Sequence, residues 1–434
     1  MQNNSNEPFD LLLSTPYPRI IVSPTYRLNL FGFLCSPTDL TPSSPSACPS
    51  LCPGNFGFWD QRLALEWTHQ NISHFSGNPQ NITIGGLSAG AYSAMFQLYH
   101  DTYFTPPSGE RLIRRAFFWS NAVGVQPNLP TSPAIRSQFD ELAFHLNIDP
   151  SLPVSEKLSI LRTIPASSFV AVIPKLKSHT FRAVTDNALI PPNFLHSIYH
   201  PETSDFSQRL KRNGMQILLG EVAHEARLYR LVNPPSNRAE LELQLRNYYP
   251  GRVVDAQMKH YELPSASSSF PSFSSQQKKK RDEDEAESWK DIYAHIVSTA
   301  QIHAPIRGLT RALLSHPSGL TISDLFRYRI SWRASSLDPY LDPSAGVCHG
   351  ADAPIWWMSG LRAGFTSEDK RKVDAFLEPF GRFVYGGQRG EVGWGTKAEG
   401  EVRLMGGDGL TTVVRDEGWE EGLRGWRVMW AAQL

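Results

Sequence analysis

Residues 83–95 read TIGGLSAGAYSAM, and this stretch decides the fold prediction. The residues before Ser88 form a short β-branched run that ends in glycines, which is typical of a strand, whereas the residues after it favour a helix. A strand, a sharp turn and a helix are the context in which the pattern G-x-S-x-G, here residues 86–90, holds a serine hydroxyl out of a sheet. The five-residue pattern recurs by chance, but its context predicts that Ser88 is a nucleophile.

The composition indicates a globular chain with no attraction for polyanions. The chain has 434 residues, 41% of them hydrophobic, which is enough for one large α/β domain or two smaller domains. Forty-two basic residues balance 42 acidic residues, so no net field concentrates nucleic acid or an anionic membrane surface. We therefore expect neither a nucleic-acid partner nor stable membrane insertion.

The N-terminal residues and the cysteines indicate in which cellular compartment the protein is expected. The first 20 residues lack the basic and apolar regions of a secretory signal, so the chain as written is expected to be cytoplasmic. Its four cysteines favour free thiols, although a bridge from Cys35 to Cys48 or Cys52 stays open in an oxidising compartment. No nearby cysteine or histidine pair completes a zinc site with Cys48 and Cys52, and we expect no metal or cofactor.

Periodicity and turn residues predict further elements of an α/β fold. β-Branched and apolar runs indicate three more strands, and two amphipathic patterns indicate helices, the second with a core-facing stripe of Val373, Phe376, Phe380 and Phe383. The predicted strands are 18–28, 215–222 and 324–335, and the predicted helices are 60–75 and 367–383.

Residues 265–287 differ in composition from the rest of the chain. They are rich in serine and then pass from a lysine and arginine run into an acidic run. Such a segment buries too little apolar area to order itself, so it is predicted to be a disordered surface insertion rather than a nuclear-localisation signal. The whole chain, 1–434, is predicted to be a single domain that carries this insertion.

A nucleophilic serine needs a histidine as its base and an acid that orients the histidine. In the α/β-hydrolase arrangement both follow the serine, in the order acid and then histidine. His349 lies in a glycine-flanked loop after a predicted strand, a position that favours it over the other histidines. Two acids, Glu221 and Glu225, lie just past the strand residues Ile217 to Leu219, and spacing alone leaves the choice between them open.

A resemblance to a known family narrows these alternatives. The stretch from Gly54 to Ala94 resembles the signature block of the type-B carboxylesterase/lipase family, the cholinesterase-like branch of the α/β-hydrolases. The stretches VSPTYRLNLFGFL, FRAVTDNALIPPN and AGVCHGADAPIWW resemble further family segments, the last being its catalytic-histidine loop. The resemblance implies a central, mostly parallel twisted sheet flanked by helices.

The resemblance also implies roles for individual residues. The family's acid is a glutamate in a G-x-x-x-D-E-G segment, and residues 220–226 match at the glycine and the glutamate, so Glu225 is preferred to Glu221. Ser88, Glu225 and His349 would form the triad of a serine esterase that passes through a covalent acyl-enzyme.

The same resemblance implies supporting roles for residues beside the predicted triad. The amide of Ala89 would donate to the oxyanion, and Gly86 and Gly90 would let the strand and the helix approach closely. Ser120 falls where the family has a buried serine, although Asn121 stands where a glycine usually follows.

The sequence departs from the family pattern at two places. No H-G-G segment, which supplies further oxyanion donors, and no first strands precede Tyr26. We expect either an incomplete gene product, which would make a secreted protein the expectation, or a member with impaired catalysis or a purely binding role. Leu87 stands where many members carry a glutamate, which favours neutral carboxylic esters or lipids over choline esters.

Overall fold

A six-stranded sheet forms the centre of the fold, with its strands in the order β1-β2-β3-β4-β5-β6. The computed structural model describes residues 8–37, 54–104, 111–261, 288–361, 364–386 and 391–434. All neighbouring pairs are parallel except β5 and β6, which confirms the predicted α/β class and its mostly parallel sheet. The strands are β1 Thr83–Leu87, β2 Arg115–Trp119, β3 Gln216–Val222, β4 Leu325–Ile330, β5 Glu401–Met405 and β6 Thr411–Arg415.

Helices follow the parallel strands β1 to β4 along the chain and pack on both faces of the sheet. The α-helices are α1 Phe9–Ser14, α2 Asn29–Phe33, α3 Phe56–Asn71, α4 Ala89–Tyr103, α5 Pro133–His145, α6 Val154–Leu161, α7 Ala166–Val172, α8 Phe194–Tyr199, α9 Phe206–Arg212, α10 Ala226–Tyr229, α11 Arg238–Tyr248, α12 Gly251–His260, α13 288–298, α14 Ala304–Leu314, α15 Ala353–Trp356, α16 Ser367–Tyr385 and α17 Trp419–Ala431. A π-helical turn, Thr299–His303, joins α13 to α14.

The alternation of side chains along β3 shows why the sheet has a core on each face. Ile217 and Leu219 are buried in one hydrophobic cluster, which includes residues of α4, α14 and α17. Leu218 is buried in another cluster on the opposite face, together with the apolar stripe of α16. Every residue of β3 is buried, as expected for a central parallel strand.

The predicted helix 367–383 is confirmed with its core-facing stripe. The structure has α16 as Ser367–Tyr385, and it begins with a capping box in which Thr366 and Asp369 bond each other's backbone amides. All four predicted stripe residues are buried: Val373, Phe376, Phe380 and Phe383.

Two predicted elements need correction. Residues 18–28 are not a strand, since they pair with no strand among the described residues, and they pack instead through Ile21 against the sheet core and Arg19 over the Phe380 ring. β-Propensity reflects packing against neighbouring strands, so a β-branched run without such a neighbour need not form one. The helix predicted at 60–75 begins earlier, at Phe56, directly after Asn55 in a left-handed conformation, and it ends in a 3₁₀ turn, Ile72–Phe75.

Several predictions concern residues outside the described part of the chain. The insertion 265–287 falls there, as do Cys48 and Cys52, so their predicted disorder and pairing stay predictions. Cys35 and Cys348 are both buried. Across the described ranges, no helix combines the length and apolarity needed to cross a bilayer.

Candidate active site

The carboxyl ends of the parallel strands bring the predicted site residues to one edge of the sheet. The register pairs Leu87 with Trp119 and Trp119 with Gly220, so β1, β2 and β3 end at nearly the same level. The Ser88 amide donates to the Trp119 carbonyl at 2.8 Å, and the Ser120 amide donates to the Gly220 carbonyl at 2.8 Å. This edge is where open α/β sheets bind their ligands.

Ser88 lies in the sharp turn between β1 and α4. Its φ of 57° and ψ of −119° are unfavourable for a residue with a side chain, and such strain is found where surrounding structure fixes a functional group. A Cβ at Gly86 would lie 2.6 Å from the carbonyl carbon of Gly90, so the strand and the helix approach too closely for a side chain there. A Cβ at Gly90 would meet nothing within 4 Å, so Gly90 contributes through its backbone.

The amino end of α4 follows Ser88 directly. Ala89 is the first of its 15 residues, so the Ala89 amide belongs to the first turn, whose amides have no acceptor within the helix. Such amides and the helix dipole favour a negative charge beside Ser88.

Glu225 and His349 form a buried hydrogen-bonded pair. Glu225 Oε2 lies 2.6 Å from His349 Nδ1, and the side chains are 0% and 7% exposed respectively. The other carboxylate oxygen accepts from the Val222 amide at 2.9 Å, which fixes the acid at the end of β3. The orientation leaves Nε2 of His349, the atom that a base would use, without a hydrogen-bond partner among the described residues.

The histidine loop lies against the residue that precedes the serine. A Cβ at Gly350 would lie 3.6 Å from Leu87 Cδ2, so Gly350 contacts the end of β1. The structure thus brings His349 and Glu225 together and places their loop beside Ser88. It shows no hydrogen bond between Ser88 Oγ and His349 within the described ranges, as is common before substrate binds.

The charges around His349 favour its protonated form. Burial disfavours the imidazolium, but the charge and hydrogen bond of Glu225, together with the nearby Asp352, outweigh burial and raise the pKa of His349 above its ordinary value of 6.5. Because Glu225 holds Nδ1, a proton taken at Nε2 would be stabilised by the same carboxylate.

Glu221, the alternative acid, binds Arg307 and His303 and not His349. Both of its oxygens accept from the guanidinium of Arg307, at 2.8 and 2.9 Å, and one lies 2.8 Å from His303 Nδ1. Burial opposes the carboxylate, but Arg307 and His303 hold the pKa of Glu221 well below its usual range. Glu221 is therefore part of a buried ion network rather than a partner of His349.

Asp352 is a third carboxyl near the pair, and sequence reasoning missed it. It is 0% exposed, and its Oδ2 accepts from Trp356 Nε1 at 2.7 Å. Burial is the main reason that the pKa of Asp352 rises to about 6, and the Glu225 charge adds to it. The only signal in the sequence was an acid three residues after the candidate histidine.

Ser120 occupies the turn after β2, next to the turn that holds Ser88. It is fully buried and has a φ of 51°. Asn121, in place of the glycine expected from the resemblance, is also buried. Among the described residues no group of acids, cysteines and histidines could hold a metal ion.

Comparison with known proteins identifies the family of the chain. A profile of the carboxylesterase family matches residues 10–401. The chain is 37% identical over 414 residues to an uncharacterised esterase/lipase of Schizosaccharomyces pombe, covering 94% of this chain and 70% of that protein. It is 33% identical over 422 residues to a carboxylic ester hydrolase of Gibberella moniliformis, covering 96% and 72% respectively. An acetylcholinesterase of Bungarus fasciatus is 31% identical over 230 residues, 50% of this chain and 32% of that protein.

The sheet is mostly parallel, and the family match extends along nearly the whole chain. The chain therefore belongs to the carboxylesterase family and is a carboxylesterase-type hydrolase with the α/β-hydrolase fold.

Proposed function

We propose that this protein hydrolyses carboxylic esters through a covalent acyl-enzyme on Ser88, with His349 as the base and Glu225 as the orienting acid. The observation that carries the proposal is the buried 2.6 Å contact between Glu225 and His349 Nδ1, in a loop that contacts the residue before a strained serine. A serine hydroxyl needs such a base, and the base needs such an acid, to become a nucleophile at neutral pH.

In the first half of the reaction, Ser88 Oγ attacks the ester carbonyl carbon while His349 Nε2 takes the hydroxyl proton. The tetrahedral intermediate then breaks its bond to the alcohol oxygen, which receives the proton from Nε2 and leaves as the alcohol. In the second half, Nε2 takes a proton from water as the water oxygen attacks the acyl-serine. Collapse of this second intermediate returns the proton to Ser88 Oγ and releases the carboxylic acid.

The oxyanion of each intermediate needs hydrogen-bond donors that are in place beforehand. The Ala89 amide supports this role, since it is in the first turn of α4 directly after Ser88. One such donor contributes about 10²- to 10³-fold to kcat.

The residue before the serine bears on the charge of the substrate. Leu87 is apolar and half-buried, so this position supplies no carboxylate to attract a cationic group. This favours neutral carboxylic esters or lipids over choline esters.

Labelling with a fluorophosphonate probe tests the proposal, together with hydrolysis of p-nitrophenyl esters. Wild-type protein is expected to carry one label on Ser88, and Ser88→Ala is expected to lose both the label and the hydrolysis. Ser159→Ala, which changes an exposed serine of α6, is the matched control and should behave as wild type. A folded wild-type chain that takes no label and hydrolyses no ester would contradict the proposal and favour a non-catalytic binding role.

A further inference from the structure

A cleft is lined by Tyr92, which lies one turn along α4 from the proposed nucleophile. The Tyr92 amide donates to the Ser88 carbonyl at 3.0 Å, and the Tyr92 side chain lines the cleft, which has a volume of about 80 Å³. The cleft is also lined by Asn128, Gln138, Arg182, Tyr248 and Tyr249. A concave site with a few converging polar groups is the usual place for a small ligand.

Arg182 brings an unneutralised charge to this cleft. Its side chain is half-buried, its Nε donates to the Asn247 carbonyl at 2.9 Å, and its guanidinium lies 4.5 Å from the centre of the Tyr248 ring. Within the described ranges it contacts no carboxylate, and its two terminal amino groups make no hydrogen bond. A half-buried guanidinium whose planar amino groups point to no protein acceptor is suited to a carboxylate from outside.

The other arginine of the cleft, Arg246, differs from Arg182 because it has acidic partners. Arg246 pairs with Glu242 at 2.7 Å and with Asp255 at 3.0 Å, so its charge is neutralised at the surface. Arg182 is therefore the cation of this cleft that has no acidic partner among the described residues.

The charge of Arg182 also acts on two buried tyrosines, Tyr92 of α4 and Tyr229 of α10. Burial raises the pKa of Tyr92 to about 12, and Arg182 acts against this rise. Burial likewise raises the pKa of Tyr229, again opposed by Arg182, and the Tyr229 ring lies 5.9 Å from the His349 ring.

We propose that this cleft binds an anionic group of the substrate, a carboxylate held by Arg182, so that esters with a carboxylate in their acyl or alcohol part are preferred. The ester part of this inference rests on the proposed function, and the anion site is independent of it. Leu87 is consistent with this preference, because no carboxylate stands there to repel an anion. Arg182 is a specificity-determining residue in this account and takes no part in bond making.

Binding of two ketone analogues tests the inference without turnover. The probes are 5-oxononanoate, whose carboxylate lies three methylenes from the carbonyl, and 5-nonanone, its neutral counterpart. Calorimetry on the full chain should show that 5-oxononanoate binds wild type about 10- to 100-fold more tightly than it binds Arg182→Gln, since a hydrogen-bonded ion pair contributes on this scale. Binding of 5-nonanone should change less than threefold, and Arg182→Lys should keep part of the preference.

The control removes a charge at a residue that does not line the cleft. Arg311→Gln, whose exposed side chain pairs with Glu399, should leave both affinities unchanged. Equal weakening of both probes by Arg182→Gln would assign Arg182 a structural role over Tyr248 and overturn the inference, as would a wild type that binds neither probe. Hydrolysis of mono-p-nitrophenyl glutarate and p-nitrophenyl valerate is measured in parallel. If the preference in binding holds but no ester is hydrolysed, the proposed function fails and the anion site stands.

Discussion

Two glutamates at the end of β3 have opposite surroundings although they are only four residues apart. Glu221 and Glu225 are 3% and 1% exposed. Glu221 meets Arg307, which also bonds Asp416, and Arg327 bonds the other oxygen of Asp416 at 2.5 Å. Glu225 meets a histidine and one backbone amide.

In the proposed function, this difference separates a stabilising role for Glu221 from a catalytic role for Glu225. Around Glu221, two arginines balance two buried carboxylates, so each ion has its counter-ion inside the protein. Around Glu225, the partner is a histidine that exchanges protons near neutral pH, its Nε2 has no hydrogen-bond partner among the described residues, and Asp352 adds a further carboxyl. A paired network stabilises the fold, whereas an incompletely paired site is available to a substrate.

The largest effect is expected at the base. His349→Gln keeps a donor for Glu225 but removes the proton acceptor, so kcat/KM for a p-nitrophenyl ester should fall by about 10⁴-fold, or ~5 kcal/mol in the barrier. The melting temperature of this variant should stay close to that of wild type. A folded variant with kcat/KM within tenfold of wild type would remove His349 from the mechanism.

A smaller effect, on stability rather than on rate, is expected at Glu221. Glu221→Gln leaves Arg307 short of a buried counter-ion, so the free energy of unfolding in urea at pH 7.5 should fall by about 3 kcal/mol. The pKa of Glu221 is depressed in the folded state, so its stabilisation is complete above the unfolded value of about 4.5 and is lost as the pH falls through the folded pKa. The gap between wild type and variant should therefore narrow below pH 4.5. Glu399→Gln, at an exposed ion pair, is the control and should cost less than ~1 kcal/mol.

Removing the carboxylate charge is expected to stabilise the protein at Asp352, whereas it destabilises the protein at Glu221. Its folded pKa of about 6 exceeds the ordinary value of 3.8, so the folded state favours the protonated carboxyl and loses stability as the pH rises between these two values. Asp352→Asn should stabilise the protein at pH 8 by up to ~3 kcal/mol, the equivalent of two pKa units. The two proteins should have the same unfolding free energy near pH 4, and a variant that is less stable at pH 8 would contradict the account.

The smallest effect concerns the pH profile of the reaction. Since His349 must be neutral to act as a base and its pKa is raised, kcat/KM of wild type should fall as the pH drops through an apparent pKa above 6.5. Asp352→Asn removes a charge that favours the imidazolium, so this acidic limb should move to lower pH by less than about one unit. A shift to higher pH would show that Asp352 does not act on His349 as described.

The parts of this structure that local patterns determine were predicted well. β1, the turn at Ser88 and α4 follow from a β-branched run, glycines and a helix-forming run that are adjacent in sequence. The stripe of α16 follows in the same way from its spacing. The residues 18–28 were predicted wrongly, because whether a β-branched run becomes a strand depends on a neighbouring strand.

The partners of the site depend on contacts between distant segments. Spacing alone could not separate Glu221 from Glu225, because the choice is made by Arg307 and by the His349 loop, which come much later in the chain. Arg182 carried no sequence signal of its own, and Asp352 carried only its position three residues after the candidate histidine. The significance of Asp352 comes from its burial, and that of Arg182 from having no carboxylate partner among the described residues. Such properties are set by tertiary packing.

The rate of fluorophosphonate labelling of Ser88 in wild type, Glu225→Gln and Glu221→Gln tests the division between the two glutamates most directly, with each protein first shown to be folded by near-UV circular dichroism. The account predicts that Glu225→Gln slows labelling on the order of 10⁴-fold, because the wrong histidine tautomer is then held. It predicts that folded Glu221→Gln labels within a few-fold of the wild-type rate. Rapid labelling of Glu225→Gln, or loss of labelling in folded Glu221→Gln, would contradict it.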